Sequence, residues 1–167
     1  MTKRTCTVAI AFAAVFAAAS AVAFAQDHRC TNPGLEGAWG YTETGTVVPP
    51  SASGLPPVLA VAAGRYDFDA SGNFSGKQFS SAGGTVAEDS KVGTYELNTD
   101  CTATLTIRIY DPTGTTLRRV STWYIVLVDN ATEFRGIMTS MAFPNGVPLS
   151  PIMSISGKRL FRDRGQR

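Results

Sequence analysis

The chain has 167 residues, 15 basic and 13 acidic side chains and one histidine, His28. That length suits one domain around one core, and a balance so near neutral argues against a dedicated nucleic-acid binder. One histidine near the amino end nearly excludes a His-based metal site or a Ser-His-Asp triad, since His28 would have to reach into the barrel mouth to act.

Lys3 and Arg4 precede an apolar run from Val8 to Phe24 that ends in Ala23-Phe24-Ala25. This pattern predicts a secretory signal peptide over residues 1–25, cleaved after Ala25, and hence an exported protein, periplasmic or extracellular. Loss of Lys3 and Arg4 removes two of the 15 basic residues and leaves 13 against 13 acidic ones. Cys6 leaves with the leader. Cys30 and Cys101 remain, and an oxidising compartment makes a disulfide between them the default expectation. A reactive pair would more often show a C-x-x-C spacing, which is absent.

Residues 26–160 read as alternating strands and turns. Residues 35–46 hold Gly37-Ala38-Trp39-Gly40-Tyr41, a strand with aromatic side chains on one face. Pro49, Pro50, Pro56 and Pro57 make residues 47–57 a long surface loop. Strands follow at 58–69, carrying Tyr66 and Phe68 together, at 73–80, and at 85–97, the last with room for a bulge before Tyr95. Residues 101–110 alternate cleanly: Cys101, Ala103, Leu105, Ile107 and Ile109 face one way and Thr102, Thr104, Thr106 and Arg108 the other. Residues 116–128 are apolar on both faces, with Tyr124 on one and Trp123, Ile125 and Leu127 on the other, so the second face needs cover. Strands at 132–141, with Phe134, and 152–160 complete the set, and residues 161–167 form a basic tail, read as solvated.

About eight strands, tight turns and no helical period predict an all-β domain. A single antiparallel up-and-down barrel is the expected architecture, because closure removes exposed sheet edges. An outer-membrane barrel is disfavoured by the charged end and the lack of aromatic girdles, and no membrane span remains after leader cleavage.

The stretches Leu35-Glu36-Gly37-Ala38-Trp39-Gly40-Tyr41, Phe68-Asp69-Ala70-Ser71-Gly72-Asn73-Phe74-Ser75-Gly76, Gly93-Thr94-Tyr95-Glu96-Leu97-Asn98-Thr99-Asp100-Cys101-Thr102-Ala103-Thr104-Leu105-Thr106, and Val128-Asp129-Asn130 with Glu133-Phe134 resemble a group of small, largely uncharacterised exported bacterial β-barrel proteins. The resemblance implies an exported barrel and brings no catalytic residues. Gly37-Ala38-Trp39 is also similar to the Gly-x-Trp of lipocalin/calycin barrels, which would set Arg159 over Trp39.

Asp67-Phe68-Asp69-Ala70-Ser71-Gly72 resembles the start of a calcium loop but lacks its closing Glu, so a hairpin turn is favoured, and no metal or other cofactor is expected. Glu43, Glu96, Glu133, Arg65, Arg108 and Arg135 fall within strands as candidate lumen acids, bases or anion clamps, most of them expected outward. Trp39, Tyr41, Tyr66, Phe68, Tyr95, Tyr124 and Phe134 are the candidate ligand-binding residues of a lumen whose mouth the Pro-rich loop shapes, set against a simply packed core. The leading reading is an exported, non-catalytic barrel binding a small apolar molecule or a partner protein. A barrel isomerase or cyclase of the allene-oxide-cyclase type would instead need a buried Glu or Arg beside an open cavity. A structural homo-oligomer would cover the second apolar face of residues 116–128.

Overall fold

The computed structural model describes residues 30–160. The leader at 1–25, His28 and the basic tail at 161–167 lie outside the described residues. A one-turn helix, α1 (Asn32–Leu35), leads into β1 (Gly37–Val48), β2 (Val58–Phe68), β3 (Asn73–Ala82), β4 (Thr85–Leu97), β5 (Thr102–Tyr110), β6 (Leu117–Val128), β7 (Glu133–Ala142) and β8 (Pro148–Arg159). Each strand pairs antiparallel with the next, and β8 returns to β1, so the sheet closes into the expected eight-stranded up-and-down barrel. Closure gives every strand two partners, which suits a sequence whose strands are joined by tight turns.

Several details differ from the sequence reading. Leu35 belongs to α1, where Pro33 sits in the first turn and supports a helical start. β4 pairs through its whole length without a bulge. β8 begins at Pro148, four residues earlier than expected. The register shifts instead lie between Ile109 and Tyr110 on β5, and within the β6–β7 and β7–β8 pairings. On the β6 side, Thr122 faces Ser140 and Trp123 faces Met138, so Thr139 is the extra residue of β7. This bulge puts Met138 and Met141, three apart, on the same inner face.

The two faces of β6 are assigned by its neighbours. Trp123 lies opposite Leu105 and Met138, both buried, so Trp123, Ile125 and Leu127 turn into the barrel. Tyr124, 42% exposed, and Val126 turn outward. The face that needed cover is thus covered by the barrel's own interior, and Tyr124 is not a lumen residue. A strand apolar on both sides carries no side preference of its own, and its register against the half-polar β5 decides. Other large apolar side chains remain exposed outside the barrel, among them Leu59, Val61, Phe79 and Val86 on adjoining strands β2 to β4.

One end of the barrel is closed. Trp39, Tyr66, Phe68, Phe74, Tyr95 and Phe134 pack together there. Edge-to-face contacts run from Trp39 to Phe68 at 6.4 Å, Tyr66 to Phe74 at 5.0 Å and Phe68 to Tyr95 at 5.2 Å. Glycines on neighbouring strands make room for the rings: a Cβ at Gly93 would stand 2.5 Å from Phe74 Cζ, and one at Gly157 2.2 Å from Phe134 Cζ. The α1 turn plugs this end with Leu35, whose carbonyl accepts a 2.9 Å bond from Trp39 Nε1. Arg159 stacks over Trp39 at 4.7 Å and donates to the carbonyls of Gly34 and Glu36, as the sequence suggested for that pair. A Cys30–Cys101 disulfide ties the plug to the β4–β5 turn across 71 residues of sequence. On the chain-entropy account such a loop contributes about 4 kcal/mol. In the β2–β3 turn, the Asp69 carboxylate accepts the amides of Ser71 and Asn73, which holds its pKa below the usual carboxylate range. The stretch that resembled a calcium loop is a hairpin turn.

Candidate functional site

At the opposite end the barrel is hollow. A cavity of about 210 Å³ opens there, walled by Val47, Ala60, Ala62, Ala87, Ile109, Met138, Met141 and Met153. Its polar lining comes from Glu43, Gln78, Ser80, Arg119 and Ser121. Small inward residues on β2 and β4 leave the space, and the β7 bulge lets Met138 and Met141 both face it, where an unbroken strand would turn only one of them inward. A broader groove of about 670 Å³ runs over the outside of β7, β8 and β1, but it is an open sheet surface and no buried unpartnered polar atom belongs to its lining.

Between the aromatic pack and this cavity lies a layer of buried polar groups. Lys91, 1% exposed, donates to Glu43 Oε1 at 2.7 Å and to the Tyr66 hydroxyl at 3.1 Å. Its ammonium lies 5.0 Å from the Tyr41 ring centre, and Tyr41 stacks on Tyr66 at 4.0 Å. Tyr41 donates to Gln78 Oε1, and Gln78 Nε2 donates to Asp89 Oδ2 at 3.0 Å. Asp89 is fully buried and also takes Arg118 Nη1 at 2.9 Å and the Ser80 hydroxyl at 3.2 Å. Burial pushes the Lys91 pKa below the usual lysine range, although Glu43 beside it pulls the other way. Burial also raises the phenols of Tyr41 and Tyr66 well above the usual tyrosine value, and the Glu43 charge adds to it.

Two members of the cavity lining are incomplete. Arg119 Nε and Ser121 Oγ are buried without a hydrogen-bond partner, as is Trp123 Nε1 on the same inner face of β6. Buried polar atoms in folded proteins are nearly always paired, because an unpaired one costs about 1–3 kcal/mol. Arg119 reaches Asp89 only through Nη2, at 3.8 Å.

The residues expected to line a lumen divide as follows. Trp39, Tyr66, Phe68, Tyr95 and Phe134 fill the closed end, Tyr41 belongs to the polar layer, and Tyr124 lies outside. None of the seven lines the cavity. Residues 51–57 of the Pro-rich loop are exposed, and the cavity rim is built by Val47 and Ala60 on the flanking strands. Of the six charged candidates only Glu43 turns inward. Arg65, Glu96, Arg108 and Arg135 are exposed, and Glu133 pairs with Lys158 at 2.9 Å on the surface. Sequence reasoning missed Gln78, Asp89, Lys91, Arg119 and Ser121. Their signal was parity: Asp89 and Lys91 are in step with Tyr95 on β4, Gln78 with Phe74 on β3, and Arg119 and Ser121 with Trp123 on β6.

Taken together, these features define a closed antiparallel barrel, solid at one end and pocketed at the other. No family model matches the chain, and no curated protein matches it. A solved structure shares its fold. The structure of EF1p2_mFAP2b bound to DFHBI matches with a TM-score of 0.52 and 10% identity, over 78% of this chain and 98% of that one. A redesigned beta barrel, mFAP1, bound to DFHBI, matches with a TM-score of 0.48 and 14% identity, over 78% and 99%.

Proposed function

We propose that the protein is an exported, non-catalytic barrel that binds a small, mainly apolar molecule in its open-end cavity. The observation that carries this is the pair of unpartnered buried groups, Arg119 Nε and Ser121 Oγ, facing a cavity with apolar walls. A ligand supplying an acceptor to them removes a cost that the protein alone bears. A barrel of the same fold is bound to a compound, DFHBI, in the EF1p2_mFAP2b structure, which is compatible with this reading. The leader pattern and the disulfide support export. No helix among the described residues is long and apolar enough to cross a membrane.

Native mass spectrometry of protein recovered from the exported fraction tests the proposal. The expected result is an added small mass on the monomer that is lost on denaturation. A bare monomer under all gentle conditions overturns it.

Two other readings have an observation each. A barrel isomerase or cyclase needs a buried acid or base beside a cavity, and Glu43 is there, although Lys91 engages its Oε1. Incubating the released compound with fresh protein separates the two: an unchanged NMR spectrum supports binding, a rearranged one catalysis. Self-association through Leu59, Val61, Phe79 and Val86 would give a structural oligomer, read in the same native spectrum as multiples of the monomer mass.

A further inference from the structure

Among the described residues, three cationic side chains and two carboxylates meet at the polar layer, with Lys91, Glu43 and Asp89 buried and Arg118 and Arg119 39% and 30% exposed. Lys91 is engaged by Glu43 at 2.7 Å, and Arg118 by Asp89 at 2.9 Å. Arg119 is left with the long 3.8 Å contact to an Asp89 already bonded by Arg118, Gln78 and Ser80. Its Nε and the nearby Ser121 Oγ lie buried and unpartnered on one inward face of β6, two residues apart, beside the cavity. Ser121 is 1% exposed, so bulk water does not serve it.

We infer that the ligand is a compact monocarboxylic acid, its carboxylate received by Arg119 Nε and Ser121 Oγ and its apolar body lodged among Met138, Met141 and Met153. This rests on the cavity being a ligand site. One carboxylate oxygen accepts from the guanidinium and the other from the hydroxyl, and the anion pairs with a guanidinium that no carboxylate engages closely. A neutral amide offers an acceptor but no charge, and an amine brings a cation toward that guanidinium. The size of the body follows from the space. A cavity of about 150 Å³ takes one benzene ring, so 210 Å³ admits one ring or a short branched chain with a carboxylate. Methionine walls suit either, because their thioether side chains adapt to shape.

Calorimetry on the refolded mature protein tests the inference, with benzoate and 3-phenylpropionate as probes and benzamide and benzylamine as matched controls. The carboxylates are expected to bind at least about tenfold more tightly than the amide, with the amine silent. Arg119→Gln should lower carboxylate affinity by at least about tenfold and lower amide affinity by a clearly smaller factor, since the amide loses a hydrogen bond but no charge pairing. Ser121→Ala should weaken the carboxylates in the same direction, and it provides the check should Arg119→Gln fail to fold. Amide binding as tight as carboxylate binding, or carboxylate affinity unchanged in the folded variants, overturns the inference. A co-purified compound that proves neutral or basic overturns it too, while leaving the binding function intact. Silence from every probe, together with a bare native mass, overturns both.

Discussion

At the closed end, Phe74 and Phe134 are matched with small inward neighbours, Phe74 with Gly93 and Phe134 with Gly157, and space is filled. At the open end Ala60, Ala62 and Ala87 are small and the side chains across from them are flexible methionines, so space remains. The same eight strands serve both ends, and the difference lies in whether large residues are paired with small ones. The closed end holds the fold. The open end, with its unpartnered groups, retains a defect that stability alone would remove.

The largest expected effect sharpens this contrast at the layer between the two ends. Lys91→Met leaves Glu43 buried without its cation, at a cost of about 3–5 kcal/mol, measured by urea denaturation. Lys91→Met with Glu43→Leu should recover most of that loss, because replacing both charges by apolar groups is often neutral or stabilising. Phe134→Ala at the closed end should cost about 3–5 kcal/mol, whereas Met153→Ala at the cavity should cost less, since that side chain already borders a void. Equal losses at the two sites would break the comparison.

A smaller effect appears at alkaline pH. Tyr41 and Tyr66 have phenols raised by burial, and that of Tyr95 is pushed up to about 12, also by burial. These groups stay protonated in the fold while their unfolded counterparts ionise near pH 10. Their contribution is therefore complete below that pH and lost as pH rises toward the folded values. Lys91 acts oppositely: its lowered pKa makes the folded state gain stability as pH rises toward the unfolded lysine value. Three phenols against one amine give a net loss above pH 10. Denaturation midpoints across pH 8 to 11 check the sign, and Tyr41→Phe should reduce the loss. The smallest effect is the most specific: Ser121→Ala should leave the ligand-free protein unchanged or about 1 kcal/mol more stable, since it deletes an unpaired hydroxyl.

The strands were legible because alternation is strong in β5, and the closed barrel followed from their number and tight turns. The disulfide partners were legible because Cys30 and Cys101 are the only cysteines in the sequence after residue 25. The site was not. Aromatic residues were read as ligand contacts although glycines on neighbouring strands had already committed three of them, Tyr41, Tyr66 and Phe134, to packing. The side of Tyr124 depended on a register across β5 and β7 that no property of β6 encodes. Lys91 and Asp89 were not singled out, because only the register shows that they turn inside, where Lys91 meets Glu43 and Asp89 is reached by the partly exposed Arg118. The cavity owes its third methionine to the bulge at Thr139, which breaks the very periodicity from which strands are read.

The most direct test of the two-ended account uses the methionines. Met138, Met141 and Met153 are the only methionines after residue 25, and all three line the cavity. Methyl NMR spectra of labelled protein are compared as purified without denaturation and again after denaturation and refolding in clean buffer, which would empty an occupied cavity. The account expects the methionine methyls to shift while those of Leu105 and Ile125 at the packed interior stay in place. Identical methionine spectra, or equal shifts at both ends, would contradict it.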